Sequence, residues 1–311
     1  MSILDAIKGD VWRIKWSKLP EMELRQSSVR DFRYCPAQYN FKRTSESNSK
    51  LPDFFFFGSM FHSLCENMLM GIDFNPDWLI EELFMERDYE LGGLSIKDIS
   101  NRLWDKDIFY GDSVMDLVDK SIRLISSAGI TYEPSSIEKM VGFKLGKVTF
   151  SGTPDFVGEL AGDGVILDFK TSGLSGRFFR NGSISSTSFK KFQISYSTQL
   201  QHYDWLMYRT SGLKAKYYGY ILPANLTINT RTNKMRGDPL QMAEAPDLDS
   251  LLHSYEDDLY GTAKEIAECI DKNHWTRRRP EVFGKLDCVR CAYKDSCLGQ
   301  RTIRNIPKWM K

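Results

Sequence analysis

The chain of 311 residues is short of several features that would decide its class at once. It holds no run approaching the roughly 18 consecutive apolar residues that a membrane span requires. Its opening, MSILDAIKGDVWRIKW, is interrupted by charges and so lacks the apolar core of a signal peptide. No membrane association is expected, and a cytoplasmic location is the default. Charge of one sign is not in excess either: 42 Lys and Arg against 41 Asp and Glu leave a net +1. Bulk charge therefore gives no reason to invoke a nucleic-acid partner, and any such reason must come from local patches. A phosphate-binding loop is missing as well. Gly142 to Val148 resembles one, but it is a residue short and lacks the Ser or Thr that would meet magnesium, so it reads as a strand turn and not as part of an ATPase.

Cysteine is scarce, with six in all. In a reducing compartment these do not form a disulfide framework, so clustered cysteines read as metal ligands and isolated ones as core residues. Cys65 and Cys269 fall in helix-like stretches with apolar residues three and four apart, and both are expected to be buried small hydrophobes. Cys288, Cys291 and Cys297 are spaced C-x2-C-x5-C. Three thiolates hold a tetrahedral metal or an iron-sulfur cluster only with a fourth ligand from elsewhere.

Periodicity divides the chain coarsely. Residues 27–43 predict a capped helix turning at Cys35-Pro36, and a second helix is expected over 59–70. From about 75 to 130 the pattern is helical. Between 137 and 172 it alternates as strands do, with Gly162-Asp163-Gly164 as the tight turn between the last two. A polar loop (173–190), a helix near 196–210, a strand near 216–224 and a long helix near 249–272 follow. Helices around a short central sheet make the fold class α/β or α+β.

The sharpest chemistry lies in GTPDFVGELAGDGVILDFKTSG. Side chains alternate along a strand, so Asp168 and Lys170 share one face while Phe169 points into the core. A turn near Gly162 and Asp163 sets Asp155 roughly opposite Lys170 and diagonal to Asp168. Any even-numbered slip keeps all three on that face. Two carboxylates bind hard divalent cations such as magnesium or manganese, the metal activates water, and a lysine orients that water or meets charge developing on phosphate. A D-x-K triplet alone is ordinarily a surface ion pair contributing at most about 1 kcal/mol.

The company of that triplet is more specific. Gly58-Ser59-Met60-Phe61-His62 reads G-x3-H, Asp155 ends GTPD, Asp168-Phe169-Lys170 follows, and Gln199-Leu200-Gln201-His202-Tyr203 reads Q-x3-Y. In this order the motifs resemble the PD-(D/E)XK nuclease superfamily, and within it the RecB-like branch of AddB-type and CRISPR-associated exonucleases. The resemblance implies a restriction-endonuclease-like core with a central mixed sheet flanked by helices. It also implies His62, Asp155, Asp168 and the Phe169 carbonyl as metal ligands for Mg2+ or Mn2+, with Lys170 catalytic and Gln199 and Tyr203 positioning phosphate and lysine.

In iron-sulfur members of that branch one cysteine precedes the core and three follow it. Cys35 with Cys288, Cys291 and Cys297 matches, implying a [4Fe-4S] cluster. It would close a loop of about 250 residues, where a clamp removes most chain entropy. Four cysteines serve zinc equally well; the resemblance favours the cluster. One elaborated nuclease domain over 1–311 is expected, with a helical insertion at 71–135 and cluster-binding segments at 27–43 plus 280–300.

Glu66, one turn from His62, either orients that histidine, approaches the metal itself or is a solvated residue, and Glu138 is a further acidic contributor. His202, His253 and His274 read as structural or exposed. Basic residues interleaved with aromatics at 177–183, 189–196, 231–237 and 275–285 suit a single strand, the first two most of all. The expected function is an exonuclease of recombination or DNA repair acting on single-stranded DNA ends. A catalytically silent DNA-binding scaffold and a structure-specific endonuclease are the alternatives. A second copy of the chain, or recombination and replication proteins, are partners left open.

Overall fold

A computed structural model describes residues 15–44, 53–86, 93–180, 197–229 and 232–276. In chain order these form β1 (Met22–Arg25), α1 (Gln26–Tyr34), α2 (Pro36–Thr44), α3 (Asp53–Leu69), α4 (Pro76–Glu86), α5 (Ile96–Trp104), α6 (Val114–Ser127), β2 (Ile130–Thr131), β3 (Val141–Leu145), β4 (Val148–Gly152), β5 (Phe156–Leu160) and β6 (Asp163–Phe169). They continue as α7 (Ser175–Arg180), α8 (Ser197–Ser211), β7 (Ala215–Ile221), α9 (Pro223–Leu226), β8 (Ile228–Asn229), β9 (Lys234–Met235), β10 (Leu240–Glu244) and α10 (Leu248–Lys272). No described helix is long and apolar enough to cross a membrane.

The chain divides into two units, one comprising Met1–Ser49, Lys144–Phe150 and Leu252–Lys311, the other Lys50–Phe143 and Ser151–Leu251. In the second unit, β6 is the organising strand. Five consecutive residues, Val165 to Phe169, are buried because the strand has neighbours on both edges and apolar layers on both faces. Val165, Leu167 and Phe169 point into one core with α3 and α6, and Ile166 points into another with Leu200, Tyr203 and Tyr220. The sheet order is β10-β7-β6-β5-β2, with β6 and β7 parallel and the other pairs antiparallel. It is thus the expected mixed α/β sheet flanked by helices.

The β5–β6 turn differs by one residue from the sequence expectation. Leu160 pairs with Asp163, so the two-residue turn is Ala161-Gly162, at φ 54° and 87°. Two positive φ values define the turn whose twist suits a tight hairpin. A glycine takes one position freely, and an alanine is held at the other.

The helices of 76–127 owe their starts to local chemistry. Ser95 caps α5 and Ser113 caps α6, each in a reciprocal box with the aspartate three residues on, an arrangement worth about 1 kcal/mol. Helix α6 then buries Val114, Leu117, Val118, Ser121 and Ile125 along one stripe.

In the first unit, α1 begins at Gln26 after Arg25, which makes no side-chain cap, so the expected capped start at 27 is corrected. Cys35 is the extended residue that separates α1 from α2. Trp16 is fully buried, edge-on to Phe150 and Tyr260. The β3–β4 turn carries Gly146 at φ 59°, where a Cβ would lie 2.5 Å from Trp16 backbone atoms. The glycine of the false phosphate loop is therefore a packing requirement. Cys65 is fully buried, but Cys269 is only half-buried, since its place on α10 faces the boundary between packing and solvent.

Candidate active site

The residues of the sequence motifs meet at one end of the sheet, all within the second unit. Helix α3 begins at Asp53, earlier than periodicity indicates, and its wide apolar face includes Phe56, Phe57, Met60, Phe61, Leu64 and Cys65. That burial fixes the opposite stripe, which carries Phe55, Gly58, His62 and Glu66 at spacings of three and four. From it, His62 Nδ1 reaches Asp155 Oδ2 at 3.3 Å. Phe169 turns its ring into the core and donates its N–H to the same oxygen at 2.7 Å.

The register corrects one expectation. Phe156 pairs with Leu167, so one step outward Asp155 is level with Asp168, not Lys170. The slip is by two residues and leaves the shared face intact. Lys170, just past β6, donates its N–H to Ile221 O at 2.9 Å, and its ammonium pairs with Asp168 Oδ2.

Helix α8 closes the other side. Gln199 Oε1 accepts from Lys170 Nζ at 3.2 Å, and Gln199 Nε2 donates to Asp168 Oδ1 at 3.0 Å and to Tyr203 Oη at 2.9 Å. One amide thus orients the lysine, a carboxylate and a phenol together. Tyr203 is held by a residue the sequence does not single out. A Cβ on Gly152 would lie 2.8 Å from the Tyr203 ring, so only glycine leaves the ring its place. No sequence signal short of the folded contact identifies it.

Glu138 joins the cluster from the segment before β3. Its φ is 46°, a strained conformation for a side-chain-bearing residue, and its N–H donates to Asp155 O at 3.3 Å. Ligand atoms of His62, Glu138 and Asp155 lie within 4.8 Å of one another.

The electrostatics follow from three buried or half-buried acids facing few cations. Burial and Asp155 push Glu138 up to about 8, and burial and Asp155 push Asp168 up to about 7. Burial also opposes ionisation of Asp155, but His62 and the Phe169 N–H outweigh it and hold its pKa below the usual range. For His62, burial disfavours the imidazolium; Asp155, Asp168 and Glu138 overcome this and raise it to about 9. Glu66 is raised by burial and by Asp155. Carboxylates and an imidazole are donors for a hard or borderline divalent cation. The raised acids mark an excess of negative charge that such a cation would neutralise.

Other predicted residues are placed elsewhere. Cys35 is half-buried in the first unit, its N–H donating to Asp31 O at 2.9 Å. Cys288, Cys291 and Cys297 lie outside the described residues, as do 181–183, 189–196 and most of 275–285. The segment 173–190 is not wholly a loop, since α7 occupies Ser175–Arg180. Arg177 donates its Nε to Ile108 O at 2.7 Å and covers the Tyr110 ring, so it is engaged within the fold. His202 is fully buried, and His253 and His274 are exposed.

A family model of the PD-(D/E)XK nuclease superfamily matches residues 23–298. No curated protein matches the sequence. A crystal structure from Eubacterium rectale, of a protein provisionally named an exonuclease, aligns with 100% of this chain and 97% of its own at 12% identity and a TM-score of 0.42.

Proposed function

From the premise that the chain belongs to the PD-(D/E)XK nuclease superfamily, and is thus a hydrolytic nuclease, we propose a metal-dependent exonuclease of the RecB-like branch acting on single-stranded DNA ends. The observation that carries this reading is the set of His62, Glu138 and Asp155 donors within 4.8 Å of one another, with Asp168 level with Asp155 across the β5–β6 pair and tied to Lys170 through Gln199.

His62, Asp155 and Asp168, with Glu138 beside them, would hold Mg2+ or Mn2+, and the Phe169 carbonyl is the remaining ligand proposed from family likeness. Such a cation polarises a phosphoryl oxygen and supplies a hydroxide-like water at neutral pH. The chain's own part is positional. His62 must surrender the proton it carries below about pH 9 before its nitrogen can serve as a ligand. Lys170, paired with Asp168 and aimed by Gln199, orients the attacking water or meets charge developing on the phosphate. Tyr203 fixes Gln199 from behind.

The test is cleavage of end-labelled single-stranded DNA with Mg2+ or Mn2+ by wild type and Lys170→Ala. Equal inactivity sinks the reading, and cutting of a covalently closed circular strand replaces the exonuclease by an endonuclease.

The proposal includes a structural [4Fe-4S] cluster on Cys35, Cys288, Cys291 and Cys297. Supporting it, Ala37 N–H donates to Thr276 O at 3.2 Å and Trp275 lies 6.1 Å from the Tyr39 ring. The chain therefore passes beside Cys35 only twelve residues before Cys288, well within the reach of about 40 Å for a segment of that length. Anaerobically purified protein should be brown, with a broad band near about 400 nm; a colourless zinc protein overturns the cluster.

A further inference from the structure

Helix α3 shows a contrast among its own phenylalanines. Phe56, Phe57 and Phe61 are at most 1% exposed, whereas Phe54 and Phe55 are 52% and 51% exposed, with ring centroids 4.5 Å apart. Phe55 is two turns before His62 and falls on its stripe. Between them sits Gly58, whose missing side chain no packing contact explains. A Cβ there would meet only Thr171 Oγ1, at an ordinary 3.6 Å. Glycine inside a helix costs roughly 0.5–1 kcal/mol relative to alanine, so a bare site here is maintained against helix stability.

We propose that this stripe is the track of the DNA strand: nucleobases stack on Phe55, flanked by Phe54, and the strand passes over bare Gly58 to the acidic cluster at His62. The proposal rests on the nuclease reading above and adds the substrate's path. Aromatic platforms suit a nuclease without sequence readout, because every base presents a π-face. Seven residues of helix span about 10.5 Å. A stacked strand advances about 3.4 Å per nucleotide, so the base on Phe55 lies about three nucleotides from the phosphate at the cluster. A partner protein or a second copy on the same aromatic pair would show no dependence on nucleobases.

The experiment measures binding of a fluorescein-labelled twelve-nucleotide oligothymidylate by anisotropy in EDTA, where nothing is cut. The oligomer is used intact and with one abasic site moved along it. Phe55→Ala should weaken binding of the intact strand about tenfold, and Phe55→Trp should preserve it. With the abasic site about three nucleotides from the mapped cut, wild type and Phe55→Ala should bind equally. A loss in Phe55→Ala that persists at every abasic position, or no loss at all, overturns the platform. Base-dependent binding through Phe55 with no cleavage by wild type in Mg2+ or Mn2+ upholds the track while refuting the nuclease activity, so the two fail separately.

Discussion

Asp204 and Asp168 are both buried in the second unit, at 0% and 1% exposure, yet their surroundings differ in the number of acids they face. Asp204, on α8, accepts the Ala215 N–H at 2.7 Å on one oxygen and the Tyr218 hydroxyl at 2.8 Å on the other. Each oxygen has a donor, and the carboxylate pins α8 to β7. Burial still raises its pKa, while those two donors and Lys214 oppose the rise. Asp168 has Lys170 and the Gln199 amide, but it also faces Asp155 across the adjoining strand. A single acid with two donors is a structural fastener. Several acids held together with too few donors mark a candidate functional site, and it is here that the proposed cation would be held.

The largest expected contrast is in activity. Lys170→Ala should lower cleavage of end-labelled single-stranded DNA by about 10²–10³-fold, in line with removal of a transition-state charge donor. Asp204→Asn should stay within a few-fold of wild type at a temperature where it is folded. Equal losses would erase the distinction between pin and site.

His202, between the two regions on α8, should make the fold acid-sensitive. Burial depresses its pKa to about 4, below the usual value of 6.5, so the unfolded chain binds a proton that the folded one refuses between those limits. Stability is fully present above pH 6.5 and falls as pH drops toward 4, by on the order of 3 kcal/mol. Urea unfolding of wild type against His202→Gln checks this; the variant should lack that part of the slope.

In metal-free buffer at pH 8 the two aspartates should diverge in sign. Asp204→Ala leaves the Ala215 N–H and Tyr218 hydroxyl without a partner and should cost about 2 kcal/mol. Asp168, raised to about 7 from 3.8, keeps between those limits a proton that the unfolded chain has lost, so stability falls as pH rises from 3.8 to 7 and the whole cost of the buried carboxylate is present at pH 8. Asp168→Asn should therefore be more stable than wild type by on the order of 1 kcal/mol, the loss of the Lys170 pair limiting the gain. Urea midpoints at pH 8 decide it, and a destabilised Asp168→Asn would show that the pair with Lys170 dominates.

The smallest effect tests the support behind the site. Gly152→Ala must move the Tyr203 ring, and cleavage should fall about tenfold through misplacement of Gln199. Unchanged kinetics would mean that Tyr203 does not hold the amide.

Much of this site was legible because motif residues sit on regular elements. Strand alternation placed Asp168 against Phe169, and helix spacing put Glu66 one turn from His62. The turn was displaced by one residue because Gly162-Asp163-Gly164 offers the usual turn chemistry, while the fold sets Ala161 at positive φ so that Leu160 meets Asp163. The start of α3 was missed because Phe54 to Phe57 have no helical alternation of apolar and polar residues. Gly152 and the engaged Arg177 were beyond reach, since each owes its role to a partner more than fifty residues away, the Tyr203 ring for one and Ile108 and Tyr110 for the other.

The first unit also sets a timetable. Arg33, on α1, hydrogen-bonds Thr262 Oγ1 and pairs with Asp258, both on α10. During synthesis at about 5–20 residues per second, α1 emerges and must wait on the order of tens of seconds for the helix that receives it. The earliest-made helices are thus among the last to find their partners, and a ribosome stalled before Leu252 leaves them with an uncovered face.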